Sequence, residues 1–301
     1  MTSPASPGRR VIWRTTCPPA VRPGSAAAFP SRLPGPNSCF PQHILSGADM
    51  PVSPVVLNRK THARLTWKAL EDYSFAAGMT VVPLLVFEVP GAARCFPIIF
   101  ANPRNAMPYA LLGLGGRNIF VDAQGRWTAP CLPLMLSNYP FSLAEIHQQD
   151  GEDAIEKREL AVAIVEDAPH FHQPDGVRLY DGKGKPTQLL RHVTTVMGNQ
   201  YRHYADSRKS LEELNLTGAL RERVAGVRTG GGERAVGGLR VADREAVMSL
   251  PDVTLGKWAR DGVLEMLFAH WESMRHLGKL LDDPSCPKGK ENGAGEEAPV
   301  Q

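Results

Sequence analysis

The sequence predicts an α+β fold, in which an antiparallel sheet built from short hairpins packs against helices from the C-terminal half of the chain. Three observations predict it. The composition of the 301 residues, 43% hydrophobic and 22% charged, is typical of a globular chain that can build one sizeable core or two modest ones. Short β-branched and apolar runs fill the region 81–122, and longer helical patterns begin near residue 187.

The two ends of the chain are predicted to lie outside this fold. Residues 1–49 are rich in Pro, Ser, Ala and Gly and show no helical or strand period, so we expect a disordered extension. The composition changes at Met50, which is either the biological start, with an upstream extension of the reading frame before it, or the point where a genuine tail ends. Residues 283–301 form a second disordered tail, which leaves 50–282 as the folded domain.

Strands are predicted mainly in the first half of the domain. Short apolar runs separated by Pro, Gly and Asn occur at 81–89, 96–101, 109–114 and 118–122. Their connections are too short for crossover helices, which favours antiparallel pairing. A further buried strand is predicted at 159–167, where an apolar run is bounded by charged residues.

The run NIFVDAQGRW, residues 118–127, places an aspartate, a glycine and an arginine close together, which can indicate a catalytic pair or a turn. Asp122 suits the first position of a turn, and Gly125 suits a positive φ that closes a hairpin. The run RLYDGKGKPT repeats this spacing with Asp181 and Gly184. Two turns of one design favour a structural role over two catalytic aspartates.

Helices are predicted in the second half. The run 187–206 has apolar residues at helical spacing, and Ser210 and Glu213 stand in a capping-box arrangement that predicts a helix start at Ser210. A hairpin follows across 220–242, and a long final helix ends the domain. The apolar stripe of that helix is predicted to face the core or a protein partner, and it consists of Leu264, Leu267, Phe268, Trp271, Met274, Leu277 and Leu281.

Hydropathy and charge exclude two classes of protein. The longest apolar runs are far shorter than the roughly 20 residues that a membrane helix needs, so no transmembrane segment is expected. The net charge of +3 comes mostly from arginines before Met50, which leaves a nearly balanced domain. Basic and aromatic residues do interleave in 191–209, but on an amphipathic helix they are typical of a solvated face, and no nucleic-acid partner is expected.

The five cysteines show neither a C-x-x-C pair nor a close-set framework, which favours free thiols in a reducing compartment. Cys95 and Cys131 stand beside apolar residues and are predicted to be buried and inert. The early arginines are not followed by a continuous apolar segment of signal-peptide type. These observations together predict a cytoplasmic location.

The most specific chemical hypothesis concerns the run EDAPHFHQPD, residues 166–175. His170 and His172 would point to one side of an extended strand, with Asp167 nearby as an oxygen donor for a metal. Prolines on both sides mark this run as a loop, and only two imidazoles are fixed by the sequence. We therefore expect no bound metal and no cofactor, and we treat the three residues as weak metal candidates. The run GLGGRN, 113–118, is interpreted as a tight strand connection because no helix follows it.

The order and spacing of several runs across 52–281 resemble the bacterial SapC family. These runs are YSFAAGMTVVPLLVFEVPGAARCFPIIF, ALLGLGGRNIFVDAQGRW, NYPF, RLYDGKGKPT and VGGLRVADREAVMSLPD, followed by the final helix. The resemblance implies association with a bacterial surface layer and implies no catalytic site. It does not extend to the peptide-transporter permease of the same name, which spans the membrane several times. The extension before Met50 and the run PHFHQPDG depart from the family pattern.

The sequence leaves two classes of function open. The resemblance implies a non-catalytic accessory protein of the envelope or surface layer, which is consistent with the absence of a catalytic motif in the sequence. The alternative is a cytoplasmic enzyme or a small-ligand-binding protein with a pocket between sheet and helices. Protein partners are expected through the C-terminal helix, while the oligomeric state, the ligand and the reaction stay open.

Overall fold

The structure is a computed structural model that describes residues 11–14, 54–102, 104–148, 157–229 and 232–283. Most of the predicted N-terminal extension, the boundary at Met50 and the tail after 283 lie outside these residues. Within them, no helix is long and apolar enough to cross a membrane.

Eleven strands lie in the described residues, and all of their pairings are antiparallel. They are β1 Val11–Arg14, β2 Val55–Val56, β3 Thr66–Trp67, β4 Val81–Pro83, β5 Ile98–Ile99, β6 Tyr109–Leu111, β7 Phe141–Gln148, β8 Lys157–Ile164, β9 Val177–Arg178, β10 Leu220–Thr229 and β11 Gly232–Ala242. They form four small sheets, with the orders β1-β10-β11, β2-β8-β7, β3-β9 and β4-β6-β5.

Seven α-helices accompany these sheets in the described residues, and the longer ones lie in the C-terminal half. They are α1 Val89–Ala92, α2 Leu134–Ser137, α3 Gln188–Leu216, α4 Arg244–Met248, α5 Asp252–Arg260, α6 Val263–Ser273 and α7 Leu277–Leu281. Short 3-10 turns occur at Ser74–Ala76, Val86–Glu88 and Met274–His276. The predicted α+β class is confirmed.

The strand predicted at 81–89 is wrong beyond Pro83, where β4 ends and the chain turns into a 3-10 turn and α1. The cause is the Glu88 carboxylate, which accepts hydrogen bonds from the backbone N–H groups of Leu85, at 2.8 Å, and of Leu134, at 2.9 Å. Leu134 is the first residue of α2 and lies 46 residues after Glu88 in the sequence. Burial raises the pKa of Glu88, and the two hydrogen bonds oppose that rise. A distant contact therefore stabilises a turn where the local pattern predicted a strand.

The helix start predicted at Ser210 is also wrong, because α3 is one continuous helix of 29 residues. Its N-cap is Thr187, whose side chain accepts from the Leu190 N–H. Ser210 is buried inside the helix, and its hydroxyl donates to Asp261 Oδ2 at 2.6 Å. Glu213 pairs with Lys257 of α5 at 2.6 Å. Ser210 and Glu213, which the sequence predicted to cap the start of a helix, therefore connect α3 to α5.

The final helix is shorter than predicted, since the 3-10 turn Met274–His276 separates α6 from α7. Most of the predicted stripe faces the core, but Phe268 is 40% exposed. Two polar residues of α6, His270 and Ser273, are fully buried. Helix α5, which the sequence patterns did not predict, packs against α6.

Two clusters of buried side chains form the interior. The larger cluster joins residues 76–136 to residues 211–281. The smaller cluster joins Leu65 to residues 141–197. Helix α3 contributes to both, because Leu190 and Met197 belong to the smaller cluster and Leu214 belongs to the larger one. The helix therefore connects the two cores.

Cys95 and Cys131 are bonded to each other in a disulfide, so the prediction of inert free thiols is wrong for this pair. The bond joins the residues that follow α1 to the segment before α2, across 36 positions of sequence. The sequence contains no short cysteine motif that would predict this pairing. The other three cysteines, Cys17, Cys39 and Cys286, lie outside the described residues.

Candidate functional site

His170 is a buried histidine with a ring nitrogen that has no hydrogen-bond partner. It lies in the loop between β8 and β9, is 4% exposed, and its carbonyl accepts from the Lys68 N–H at 2.9 Å. Its ring nitrogen Nδ1 is buried and has no hydrogen-bond partner in the structure.

Two aromatic rings adjoin His170. The Tyr139 ring meets the His170 ring edge to face, with ring centroids 5.3 Å apart. Phe75 stacks on Tyr139 with a centroid distance of 3.7 Å. Phe75 packs against the larger core and Tyr139 against the smaller one, so the rings lie where the two cores meet.

Asp72 supplies the negative charge of this region. Its Oδ1 accepts from the Ser74 N–H at 2.9 Å, and its hydrogen bonds with Ser74 are the main reason that its pKa lies below the usual range. The ionised carboxylate also raises the pKa of Tyr139, after the larger effect of burial. For His170 the order is similar, because burial lowers its pKa while Asp72 opposes the change. We call His170, Tyr139, Phe75 and Asp72 the His170 site.

The turn at Asp122 and Gly125 positions Asp72. Gly125 has φ 76°, and its carbonyl accepts from the Tyr73 N–H at 2.7 Å. A Cβ on Gly125 would come within 2.4 Å of Asp72 Oδ1, so only glycine leaves room for this carboxylate.

Asp122 itself is used for the turn. Its Oδ1 accepts from the N–H groups of Gln124 and Arg126 at 2.9 Å, and its Oδ2 pairs with the Arg126 guanidinium at 2.8 Å. These hydrogen bonds hold the pKa of Asp122 below its usual range, with the Arg126 N–H as the main cause. Its oxygens therefore organise the turn, and the aspartate of the candidate site is a different one, Asp72.

The second predicted turn has the same geometry. Asp181 Oδ1 accepts from the N–H groups of Lys183 and Lys185 at 2.9 and 2.8 Å, and Gly184 has φ 72°. Its position between β9 and α3 is remote in sequence from Asp72. This turn connects β9 to α3.

The three weak metal candidates do not converge. His170 is buried, whereas His172, with φ 60°, and Asp167 are exposed. In the described part of the chain, no three His, Cys, Asp or Glu residues lie close enough to hold a metal ion. The predicted common side of an extended strand does not form, because the backbone at His172 enters the left-handed region.

The other buried histidines, His62 and His270, are bonded to protein groups at both ring nitrogens. His62 Nδ1 accepts from the Asn58 N–H at 2.8 Å, and its Nε2 lies 2.6 Å from Glu166 Oε1. His270 is bonded at both ring nitrogens to the backbone of Ile98 and Ala242. Neither ring keeps a free lone pair, so neither can act as a general base without a change of the fold.

The sequence signals for Asp72, Phe75 and Tyr139 were indirect. Phe75 and Tyr139 lie in the runs YSFAAG and NYPF, which contribute to the resemblance but contain no recognisable chemical motif. Asp72 directly precedes the first of these runs. Their convergence depends on contacts between segments nearly 100 residues apart, which no local pattern encodes.

A comparison with known protein families shows which family the chain belongs to. A sequence model of the SapC family matches residues 57–280, which is most of the chain. The chain belongs to the SapC family. No curated protein and no solved structure matches it. The SapC match includes every residue of the His170 site, and it leaves residues 1–56 outside the matched region.

Proposed function

We propose that this SapC-family chain is a non-catalytic accessory protein of the bacterial cell envelope, associated with the surface layer, and that it works in an oxidising compartment. The observation that supports this proposal most is the disulfide between Cys95 and Cys131. Disulfides persist in extracytoplasmic compartments and are rare in the reducing cytosol. The compartment proposed from the disulfide differs from the cytoplasmic location that the sequence predicts from free thiols and from the absence of a signal-peptide segment.

The accessory role is supported by the structural hydrogen bonds and ion pairs that charged side chains make in the described residues. Arg240 donates to the carbonyls of Asn102 and Asn105, at 2.7 and 2.8 Å, and to Asn215 Oδ1 at 2.7 Å. Asp243 accepts from the Ala246 N–H at the start of α4 and pairs with Arg223 at 2.7 Å. Charged groups of this kind hold loops and helix ends together, as Glu88 does. These charged groups serve the fold, which is consistent with an accessory role.

Cell fractionation tests the proposed compartment. The native protein should be found in the envelope fraction and should be digested by a protease added to cells whose outer barrier has been permeabilised. A cytosolic protein of similar size serves as the control and should stay intact. Recovery of the chain only in the cytosol, protected from protease together with the control, would contradict the proposal.

A second candidate function, the binding of a small ligand, is favoured by one observation. His170 Nδ1 is a buried ring nitrogen without a hydrogen-bond partner, which is uncommon in folded proteins. Binding requires no bond-making chemistry, so this function is compatible with an accessory protein.

A further inference from the structure

A surface with an excess of positive charge lies where two turns of the chain meet. The first turn is held by Asn58, whose Oδ1 accepts from the Lys60 N–H at 2.8 Å. The second is the turn at Asp181, whose Oδ1 accepts from the N–H groups of Lys183 and Lys185 at 2.9 and 2.8 Å. These hydrogen bonds hold the backbone of both turns, and the three lysine side chains are exposed.

Two exposed arginines add to the charge of these turns. A Cβ on Gly184 would come within 3.1 Å of Arg59 Cδ and 3.5 Å of its Nε, so the side chain of Arg59, from the first turn, lies against the second. Arg191, near the start of α3, donates from Nη1 to the Pro186 carbonyl at 2.7 Å, which holds its guanidinium beside the second turn. We define the basic surface by its five cationic side chains, which are Arg59, Lys60, Lys183, Lys185 and Arg191.

The charge of the basic surface is not neutralised by the described residues, among which none of its five side chains forms an ion pair. Two carboxylates lie at the turns, namely Asp181, which accepts backbone hydrogen bonds, and Glu166, whose Oε1 lies 2.6 Å from His62 Nε2. By contrast, exposed Lys68 pairs with Asp175 at 2.6 Å. Five like charges on two adjoining turns repel one another, so a negatively charged partner would be attracted.

Exposed valines beside the two turns favour a lipid bilayer over a dissolved polyanion as that partner. Val55 and Val56, which are 42% and 37% exposed, precede the first turn in the sequence, and Val177, which is 55% exposed, precedes the second. Clusters of about four to eight Lys and Arg residues bind anionic lipid headgroups, and exposed apolar side chains enter the boundary between headgroups and acyl chains. A dissolved polyanion would neutralise the cations but would leave the valines in water.

We propose that the basic surface docks the protein on a bilayer that carries anionic phospholipid, with the cations of the two turns against the phosphate groups and the adjoining valines at the headgroup boundary. The contact is peripheral, because it uses exposed side chains of turns and short strands. This inference rests neither on the envelope proposal nor on the ligand-binding candidate, since lipid binding by the purified protein is measured separately from its compartment in the cell.

Sedimentation of the full chain with lipid vesicles tests the proposal. The protein should bind vesicles of phosphatidylcholine mixed with phosphatidylglycerol, and it should bind vesicles of phosphatidylcholine alone much more weakly. Added salt should weaken the binding to the anionic vesicles, because it screens the charges. A single-stranded oligonucleotide presents phosphates outside a bilayer, and the protein should bind it more weakly than the anionic vesicles.

A triple variant of the basic surface locates the binding. Lys60→Gln, Lys183→Gln and Lys185→Gln together remove three charges but none of the backbone hydrogen bonds that hold the turns. At about fivefold for each lysine, this variant should bind anionic vesicles roughly a hundredfold more weakly than the wild-type protein. The thermal midpoint should stay the same, because the three side chains are exposed.

The matched control removes three charges from the segment before Met50, which carries most of the net positive charge of the chain. Arg9→Gln, Arg10→Gln and Arg22→Gln together give it the same net charge as the variant of the basic surface. The affinity of this control for anionic vesicles should change much less, because its basic surface is intact.

Three results would overturn the proposal. Equal binding to both kinds of vesicle, including no binding to either, would show that anionic lipid is not recognised. Equal weakening by the two triple variants would assign the binding to the net charge of the chain rather than to the basic surface. Tighter binding of the oligonucleotide than of the anionic vesicles would make nucleic acid the partner. The envelope proposal is unaffected by all three results, because cell fractionation decides it separately.

Discussion

At the scale of single residues, α6 supplies side chains that act as hydrogen-bond partners for strand backbone. His270 Nδ1 donates to the Ile98 carbonyl at 2.7 Å, and Ser273 Oγ accepts from the Ile98 N–H at 2.8 Å. On the other side, His270 Nε2 accepts from the Ala242 N–H and Trp271 Nε1 donates to the Ala242 carbonyl. One helix thus satisfies both backbone groups of Ile98 in β5 and of Ala242 in β11.

His270 makes stability depend on pH. Burial lowers its pKa to about 4 from an ordinary value of 6.5. Between these values the unfolded chain binds a proton that the folded chain does not, so the stabilising contribution is complete above pH 6.5 and is lost as the pH falls toward 4. The loss should be on the order of 3 kcal/mol, at about 1.4 kcal/mol for each pH unit.

The measurement is urea unfolding of the wild-type protein and of His270→Gln across this pH range. The variant should be less stable at neutral pH, and the difference between the two proteins should shrink as the pH falls. Comparing the two proteins cancels the contribution of other histidines, including His170 and His276, whose pKa values are also lowered by burial. A difference that stays constant with pH would show that His270 is not buried as a neutral ring.

Gly125 and Gly116 give a matched pair for the turn at Asp122. Both have positive φ, 76° and 74°, but a Cβ on Gly125 would lie 2.3 Å from Ser74 Oγ, whereas a Cβ on Gly116 would have nothing within 4 Å. Gly116→Ala should cost about 1 kcal/mol for the backbone conformation alone. Gly125→Ala should cost at least about 1 kcal/mol more, because Asp72 and Ser74 must move. Thermal unfolding of both variants measures this, and equal losses would contradict the close packing.

Residues whose role is local could be anticipated from the sequence. The spacing of Asp122 and Gly125 indicates a turn, because an aspartate oxygen and a glycine with positive φ are what such a turn requires. The roles of His170 and Asp72 depend on burial and on contacts across the fold. No local sequence pattern distinguishes His170, which is buried, from His172, which is exposed.

At the scale of elements, α3 organises the molecule by connecting the two cores. Its first half contributes to the smaller cluster and its last turns contribute to the larger one. The hydrogen bond from Ser210 to Asp261 and the ion pair of Glu213 with Lys257 fix its C-terminal half to α5. A break in α3 would therefore separate the cores as well as shorten a helix.

Proline substitutions test whether α3 is continuous. Lys209 is exposed and lies inside the helix, so Lys209→Pro should destabilise the protein by about 3 kcal/mol or more through a lost hydrogen bond and a steric clash. Gln188 is equally exposed but occupies the first helical position after the Thr187 N-cap, where proline is tolerated. Gln188→Pro is therefore the control, and circular dichroism with thermal melting reads both variants. Tolerance of Lys209→Pro would support a separate helix starting at Ser210.

The disulfide should contribute substantially to stability. Closing a loop of 36 positions between Cys95 and Cys131 is worth up to about 4 kcal/mol through the reduced entropy of the unfolded chain. Cys95→Ala combined with Cys131→Ala should lower the free energy of unfolding by a few kcal/mol under oxidising conditions. In reducing conditions the variant and the wild-type protein should become similar. A variant as stable as the oxidised wild-type protein would show that the bond has no structural effect.

Elements with long and regular patterns were predicted, and those that depend on distant contacts were not. The β10–β11 hairpin and β8 follow from extended apolar or alternating runs. The region 84–89 forms turns because Glu88 reaches Leu134. Helix α5 contains Thr254 and Gly256, which are poor helix formers, and it forms because Trp258 is buried in the larger core.

At the scale of the whole molecule, the described members of the two cores lie between Leu65 and Leu281. The strand β1, Val11–Arg14, pairs with Val224–Val227 of β10 at the edge of its sheet, although the sequence period gave no indication of a strand there. The remaining residues before 54 all lie outside the described residues. All of the described core members except Leu281 lie within residues 57–280, the region that matches the SapC family.

Truncation tests the predicted start of the domain at Met50. Deleting residues 1–49 removes β1 but no described member of either core, so the thermal midpoint should change very little. The comparison is made by calorimetry on the full chain and the truncated chain. A loss of several degrees would show that the β1–β10 pairing contributes to the fold and that the domain begins before Met50.

The proposed envelope location requires an oxidising compartment, and the redox state of Cys95 and Cys131 in the native cell reports on that compartment most directly. Cells are quenched with acid and a thiol-blocking reagent, the protein is unfolded in the presence of the reagent, and both cysteines are read by peptide mass spectrometry. The account predicts that Cys95 and Cys131 carry no label and are recovered as one linked peptide pair. Full labelling of both cysteines, with a known disulfide protein of the envelope intact in the same sample, would contradict it.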